Sequence, residues 1–323
     1  MVHGIRVHEA GGPDVLSWEE LEVGEPGPGQ VRLRHQSVGL NYIDVYHRTG
    51  LYPQPLPFTP GVEGAGTVEA VGDGVTLVRI GDRVAYAGPI GSYSEERLID
   101  ADRLVKLPDA ISFEQAAAMM LRGMTVRMLL SSVRRVEAGE TILVHAAAGG
   151  VGLIMCQWAK AIGATVIGTV STDEKAELAR THGCDHPIVY TRQDFVAEVD
   201  RITGGEKLPV VYDSVGKDTF LKSLDCLNPR GLMVSYGNAS GPPDSIAPGL
   251  LAQKGSLFLT RPTLFHYIAR REELEQSAAE LFELVLSGRV RIEIGQRFAL
   301  SDAAQAHRAL EARRTTGSTV LTV

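Results

Sequence analysis

The apolar residues follow two different patterns along the chain. Up to about residue 110, short apolar stretches alternate with turns rich in Gly and Pro. Such spacing is typical of short strands in an all-β barrel or sandwich. The strands predicted in this region cover residues 30–40, 66–71 and 83–86.

Two segments mark the end of this pattern. Residues 51–66 carry four prolines followed by glycines, which predicts a fixed loop and no regular element. Ser112 and Gln115 then have the spacing of a capping box ahead of an apolar helical run at 114–121. A second helical run continues to residue 132, so we expect a pair of helices here.

From Thr141 onward the pattern alternates between strand and helix. Six such strands, joined by helices, predict a doubly wound parallel sheet whose ligand lies at the carboxyl ends of the strands. A helix at 272–287 and a tail at 289–323 come next, and the tail is expected to return to the first domain. The predicted strands cover residues 142–144, 165–170, 187–190, 209–213, 231–236 and 256–260, and the helices between them cover 151–162, 173–181, 194–202 and 218–227.

A glycine turn joins the first of these strands to its helix. Residues 147–152 read AAGGVG, the dinucleotide-binding pattern G-x-G-x-x-G with Ala at the first position. Glycines let the backbone approach a pyrophosphate, and the helix directs its free N–H groups at the phosphates. The residues expected to contact the cofactor are Ala148, Gly149, Gly150 and Val151.

The residues beyond the second strand indicate which nicotinamide cofactor is used. NAD-type sites place an acid about 20 residues past the glycines, where this chain has Ser171. A hydroxyl can donate to a 2′-phosphate, whereas a carboxylate would repel it. Lys175 in the next helix can add positive charge, and Tyr190 can reach the adenosine end. We therefore expect NADPH.

Composition restricts the partners and the compartment. The formal net charge is −7 and no Lys/Arg-rich run occurs, so neither a nucleic acid nor an anionic membrane is an expected partner. The first residues lack the apolar core of a signal peptide. The three cysteines, at 156, 184 and 226, are odd in number and widely spaced, which favours reduced thiols and a cytoplasmic location.

Four long motifs give the chain a resemblance to a known family. They are VGLNYIDVYHRTGLYP at 38–53, HAAAGGVGLIMCQWAKAIGA at 145–164, VVYDSVGKDTF at 210–220 and LNPRGLMVSYGNASG at 227–241. In this order they resemble the zinc-independent quinone oxidoreductases of the medium-chain dehydrogenase/reductase superfamily. The resemblance extends over effectively the whole chain.

The resemblance implies a two-domain α/β architecture. A GroES-like β-barrel catalytic domain, residues 1–122 and 265–323, would be interrupted by a Rossmann nucleotide-binding domain with a doubly wound parallel sheet, residues 123–264. It also implies an active site in the cleft between them, NADPH as cofactor, and a homodimer built through the nucleotide sheets near residues 255–262.

The resemblance also assigns functional residues. Asn41, Tyr46 and Tyr52 match the family's cleft residues and are expected to supply orienting hydrogen-bond donors and an aromatic wall. A turn-stabilising role for Asn41, and core packing for the two tyrosines, are the alternatives. The positions that match family residues near the cofactor are Thr125, Gly237, Asn238 and Arg313. Ser318 departs from the family, where many members have Lys.

The same alignment of motifs argues against a metal. Zinc-dependent relatives need Cys where this chain has Asn41 and His where it has Val62, and an apolar side chain cannot be a ligand. Without a Lewis acid, conjugated acceptors are easier to reduce than simple ketones. We therefore expect NADPH-dependent reduction of quinones. The alternatives are an enone or 2-alkenal reductase of the same fold and a non-enzymatic NADPH-binding structural or RNA-binding protein.

Overall fold

The computed structural model describes residues 2–323, and its strands are numbered in chain order. They are β1 (Val2–Arg6), β2 (Ser17–Leu21), β3 (Gln30–Leu40), β4 (Glu63–Val71), β5 (Arg83–Ala87), β6 (Glu96–Asp100), β7 (Val105–Lys106), β8 (Thr141–Val144), β9 (Thr165–Val170), β10 (His186–Val189), β11 (Leu208–Asp213), β12 (Leu227–Ser235), β13 (Phe258–Thr260), β14 (Ile294–Ala299) and β15 (Ser318–Thr322).

The helices are numbered in the same way. They are α1 (Tyr42–Arg48), α2 (Phe113–Arg127), α3 (Gly150–Ile162), α4 (Asp173–Thr181), α5 (Phe195–Thr203), α6 (Phe220–Ser223), α7 (Gly249–Gln253), α8 (Leu264–Tyr267), α9 (Arg271–Leu286) and α10 (Ala303–Glu311). Among residues 2–323, no helix combines the length and the apolar character that a membrane crossing requires.

The chain divides into two compact units. The first, called the β unit below, contains the chain up to Met124 together with Ile268–Leu286 and Ile292–Val323. The second, called the α/β unit, contains Thr125–Tyr267 and Ser287–Arg291.

The α/β unit is built on a six-stranded parallel sheet in the order β10-β9-β8-β11-β12-β13. Counted along the chain from β8, this is the doubly wound order 3-2-1-4-5-6, and it confirms the predicted fold class. The strand order reverses between β8 and β11, which pair through Leu143 and Val211. Ligands of such sheets bind beside this reversal, at the carboxyl ends of the strands.

Apolar packing on both faces explains why these strands were recognisable as continuous apolar runs. Leu143, Ile167 and Val211 are completely buried in one core cluster, with Phe195 of α5 packed among them. The three cysteines are buried, and none of them forms a disulfide.

The β unit is organised around β3, the longest strand of its seven-stranded sheet. One side of β3 pairs with β4, and the other pairs first with β6 and then with β15. Val31 and Leu33 are buried in alternation with less buried neighbours, and the last four residues of the strand, 37–40, are all buried. Because β15 is the last strand, the tail does return to this unit, as predicted.

The loop predicted at 51–66 is wrong for its last four residues, which begin β4 at Glu63. Small residues allow this strand to approach β3 unusually closely. A Cβ on Gly66 would lie 2.0 Å from the carbonyl oxygen of Arg34. The glycines were therefore a signal of close strand approach as well as of a turn.

The predicted helix pair at 114–132 is also wrong, because α2 runs unbroken through Gly123 and continues as a π-helical turn, Met128–Val133. Gly123 serves packing: a Cβ there would lie 2.4 Å from the side chain of Leu281 in α9. The predicted capping box is confirmed, since the Ser112 and Gln115 side chains each accept a hydrogen bond from the other residue's backbone N–H at 3.1 Å.

Several short elements carried too weak a pattern to be predicted. They are β1, β2, β6, β7, α1, α7 and α8. The predicted helix at 218–227 is also much shorter, because α6 ends at Ser223 and a 3-10 turn, Leu224–Cys226, comes directly after it.

Candidate active site

The glycine turn after β8 forms a cradle of exposed backbone. Gly149 is the N-cap of α3, so no side chain covers the N–H groups of the first helical turn. A Cβ on Gly152 would lie 2.3 Å from the carbonyl oxygen of Ala146, so this position requires glycine. Ala146 itself has a φ of 54°, which bends the chain sharply into the helix. This cradle fits the pyrophosphate of a dinucleotide, because free N–H groups and the helix dipole both favour an anion.

The carboxyl ends of β9 and β10 are joined beside this cradle. The backbone N–H of Tyr190 donates to the Val170 carbonyl at 3.0 Å, and the Thr191 hydroxyl donates to the Ser171 carbonyl at 3.0 Å. Lys175 lies in the first turn of α4, where its backbone N–H donates to the side chain of Thr172, the N-cap. The structure thus brings Ser171, Lys175 and Tyr190 to neighbouring loops.

A third loop begins after β12 and carries Gly237 and Asn238, both buried. A Cβ on Gly237 would lie 2.4 Å from the Ser214 carbonyl oxygen, which forces glycine here. This loop and the glycine turn both leave the carboxyl edge of the parallel sheet.

Thr125 and Arg313 do not belong to these loops. Thr125 is half-buried within α2. Arg313 lies in the β unit, exposed just beyond α10, with a left-handed φ of 57°. Their roles toward a cofactor stay predictions.

In the β unit, Asn41 is the N-cap of α1. Its backbone N–H donates to Asp44 Oδ2 at 2.8 Å, which fixes the first turn of the helix. Its side-chain Nδ2 donates to Glu63 Oε2 at 2.8 Å and makes a longer contact of 3.4 Å with the Gly39 carbonyl. Asn41 is therefore held rigidly at the start of this helix.

Glu63 is completely buried at the centre of this region. Its carboxylate accepts from Asn41, from the Leu121 backbone N–H at 2.8 Å and from Arg122 Nη1 at 3.1 Å. Burial raises the pKa of Glu63, while Arg122 acts in the opposite direction by stabilising the charged form. A Cβ on Gly39 would lie 2.4 Å from the carboxylate, so the glycine makes room for the acid.

The tyrosines predicted to form the aromatic wall lie together. The ring centroids of Tyr46 and Tyr52 are 5.2 Å apart in an edge-on arrangement, and Tyr42 is 6.2 Å from Tyr46. Tyr46 is 7% exposed and Tyr52 is half-buried, so Tyr52 has the more accessible ring. The backbone N–H of Tyr52 donates to the Tyr46 carbonyl at 3.0 Å, which sets the spacing of the pair.

A buried chain of polar groups lies behind α1. The Tyr93 hydroxyl donates to Asp44 Oδ2 at 3.0 Å and lies 3.2 Å from His307 Nε2. Burial raises the pKa of Asp44 to about 7, against which the hydrogen bonds from Asn41 and Tyr93 act. Burial lowers the pKa of His307 to about 3, so this imidazole is neutral.

The two positions that are zinc ligands in zinc-dependent relatives carry an amide and an apolar side chain here. Val62 is buried, and its neighbour Glu63 accepts from Asn41. Among residues 2–323, no group of three or more His, Cys, Asp or Glu side chains is arranged to hold a metal ion.

Comparison with known proteins identifies the family. Residues 27–109 match the alcohol dehydrogenase GroES-like domain, and residues 150–283 match the zinc-binding dehydrogenase family. The chain is 57% identical to a quinone oxidoreductase of Pseudomonas aeruginosa over 99% of both chains. The chain belongs to the quinone oxidoreductases of the medium-chain dehydrogenase/reductase superfamily. This confirms the resemblance seen in its motifs.

Two further similarities bear on the chemistry. The crystal structure of Escherichia coli quinone oxidoreductase complexed with NADPH superposes with a TM-score of 0.98 at 49% identity, covering 99% of this chain and 100% of that one. A 2-haloacrylate reductase of a Burkholderia species is also 49% identical, over 99% of both chains. Membership of the family makes the chain an oxidoreductase that acts on a small molecule.

Asp213 also orders the site, although no motif in the sequence predicted it. Its carboxylate ends β11 and accepts from the backbone of Val215 at 2.7 Å, from the backbone of Gly216 at 3.1 Å and from the Thr219 hydroxyl at 2.9 Å. An Asp closely preceding a Gly after a buried strand is a turn signal that could have revealed it.

His145 is a core histidine whose two ring nitrogens both have hydrogen-bonding partners. The imidazole is completely buried, with Nδ1 2.8 Å from the Thr169 hydroxyl and Nε2 2.8 Å from the Ser223 hydroxyl. Burial lowers the pKa of His145, so the ring is neutral. It therefore joins β9 to α6 directly behind the glycine turn.

Asp44 is predicted to make stability depend on pH. The folded chain keeps this proton up to about pH 7, whereas an unfolded Asp releases it near pH 4. Its stabilising contribution is thus complete below about pH 4 and is lost as the pH rises through 7. Asp44→Asn keeps an acceptor oxygen but cannot titrate. Its free energy of unfolding, measured in urea, should therefore rise relative to wild type between about pH 4 and pH 7. A difference independent of pH would contradict the assignment.

Proposed function

We propose that this protein reduces quinones by hydride transfer from NADPH without a metal ion. The observation that carries the proposal is the uncapped amino end of α3 beside a loop where Ser171 replaces the acid typical of NAD-type sites. The likeness to the Escherichia coli enzyme complexed with NADPH supports it.

The proposed cofactor contacts divide among the loops of the α/β unit. The backbone at 148–151 would hold the pyrophosphate, because its N–H groups point into an open cradle. Ser171 and Lys175 would hold the 2′-phosphate, and Tyr190, which is 40% exposed, would contact the adenosine end. Gly237 and Asn238 would line the nicotinamide end, and Thr125 and Arg313 are proposed as further contacts.

When bound, NADPH supplies the hydride, and the residues of the chain position the acceptor. Asn41 is proposed as an orienting donor: one amide hydrogen goes to Glu63, and the other makes only a 3.4 Å contact with Gly39. Tyr52 would supply an aromatic face for a planar substrate, with the more buried Tyr46 ring packed edge-on against it. A quinone suits such a site because conjugation spreads the arriving charge over its ring.

A second candidate, reduction of a conjugated enone or 2-alkenal, is favoured by one observation. The 2-haloacrylate reductase is as similar to this chain, at 49% identity, as Escherichia coli quinone oxidoreductase 1. Both reactions deliver hydride to a conjugated system, so the same cofactor loops would serve either.

The two functions are separated by comparing kcat/KM for a set of 1,4-quinones with that for a set of 2-alkenals, in the presence of NADPH. Because this ratio reports discrimination in the transition state, we expect the quinones to be preferred by at least about tenfold. Preference for the alkenals would support the second candidate. NADPH oxidation at the blank rate with both sets would contradict both.

The cofactor assignment predicts the effect of removing one charge. Lys175→Ala should raise the Kd for NADPH by about tenfold, equivalent to about 1.4 kcal/mol, and leave the Kd for NADH nearly unchanged. Isothermal titration calorimetry measures both constants. Lys160→Ala is the control, because Lys160 lies in the last turn of α3 and pairs with Asp185. Equal weakening of both nucleotides by Lys175→Ala would refute the assignment.

We also propose a cytoplasmic homodimer. Three buried free thiols support a reducing compartment. The edge strand β13 supports pairing of two copies, since Phe258 and Leu259 are 62% and 40% exposed on it.

The homodimer proposal is tested by sedimentation velocity. Phe258→Asp should convert a wild-type dimer to monomer by placing a charge on β13. Leu221→Asp, also at a 51% exposed apolar position of the α/β unit, should leave the dimer intact. A monomeric wild type, or a dimer that survives Phe258→Asp, would contradict an interface at β13.

A further inference from the structure

An ion pair lies directly beside the proposed 2′-phosphate site. Both nitrogens of the Arg192 fork donate to Asp173: Nη1 to Oδ2 at 2.8 Å and Nη2 to Oδ1 at 2.5 Å. Asp173 is the first residue of α4, two positions after Ser171. Arg192 comes two residues after Tyr190. The pair therefore links the same two loops that carry the proposed adenosine contacts.

The geometry of these loops is well defined by hydrogen bonds besides the ion pair. Thr191, next to Arg192, donates to the Ser171 carbonyl at 3.0 Å. The backbone N–H of Arg192 donates to the Val189 carbonyl at 3.1 Å. The guanidinium is thus attached to a fixed turn at the end of β10, facing the start of α4.

A carboxylate at this edge of the sheet has a clear chemical consequence. An acid just past the second strand accepts hydrogen bonds from the ribose hydroxyls of NAD and repels the 2′-phosphate of NADP. Asp173 could play that part, since Ser171 beside it is neutral. The arginine fork, however, engages both carboxylate oxygens, because planar guanidinium and carboxylate groups match in shape and charge.

The Asp173 carboxylate stays charged near neutral pH. The hydrogen bonds from Arg192 lower the pKa of Asp173 below its ordinary value. The Arg192 guanidinium compensates this charge directly, while Glu174 and Lys175 in the same helical turn contribute one charge of each sign.

We propose that Arg192 determines cofactor specificity by pairing with the Asp173 carboxylate. The pairing prevents Asp173 from accepting a hydrogen bond from a ribose 2′-hydroxyl and from repelling a 2′-phosphate. This inference rests on the proposed use of NADPH. In this role Arg192 is a positioning residue that acts through Asp173.

The test measures Kd for NADPH and for NADH by calorimetry on four proteins: wild type, Arg192→Ala, Asp173→Asn and the double variant. Arg192→Ala should raise the Kd for NADPH by about tenfold and lower that for NADH, because the carboxylate is released. Asp173→Asn should bind NADPH at least as tightly as wild type. The double variant should recover NADPH affinity to within about threefold of wild type.

Arg201→Ala is the matched control. Arg201 is an exposed arginine of the same unit that pairs with Glu198 within α5, away from these loops. Exposed ion pairs contribute little to stability, so all variants should fold, and circular dichroism checks this.

Two results would overturn the inference. The first is a ratio of the Kd for NADH to the Kd for NADPH that differs by less than about twofold between Arg192→Ala and wild type. The other is a double variant as weak as Arg192→Ala, which would mean that the guanidinium contacts the phosphate itself. A wild type that prefers NADH, or binds neither nucleotide, would instead contradict the proposed function, so the two failures are distinguishable.

Discussion

The buried carboxylate of Glu63 is the constraint on which the β unit depends. A charge taken out of water is costly unless its partners surround it, and here Arg122, Asn41 and the Leu121 backbone do so. These partners come from the end of β3 and from α2, so a single acid at the start of β4 joins three elements. Loss of Arg122 would leave an uncompensated buried charge, which is among the most destabilising changes in a protein.

Glu63 also stabilises the region in which zinc-dependent relatives have their zinc ligands. Asn41 and Val62 occupy those positions, and the Asn41 amide is held by the residue next to Val62. A hydrogen bond and an ion pair thus order the start of α1, which carries Tyr46, and Tyr52 packs against that ring from the loop after the helix.

The sequence was most informative where local pattern and burial agree. Strands of the parallel sheet are covered on both faces, so β8, β9 and β11 stand out as apolar runs and were predicted to within one or two residues. β2 has no buried residue and β7 has two residues, and neither leaves such a signal. Glycine misled twice, at Gly66 and Gly123, because a glycine required for close packing resembles one required for a turn.

Only those parts of the site that are formed by residues close together in the sequence could be predicted. The turn at 148–151 and the neutral Ser171 could be found from motif and spacing. The contact between Tyr93 and His307 could not, because 214 residues separate them and no periodicity links them. Asn41 to Glu63 spans only 22 residues, yet it depends on how β4 lies against β3, which tertiary packing decides.

The burial of all three cysteines has a practical consequence for studying motion in this protein. Buried thiols are inert towards labelling reagents, and burial raises the pKa of Cys226 to about 12, which further suppresses its thiolate. A single cysteine introduced on the surface would therefore be the one reactive thiol. Fluorophores or spin labels can be attached to the native background without first replacing any cysteine.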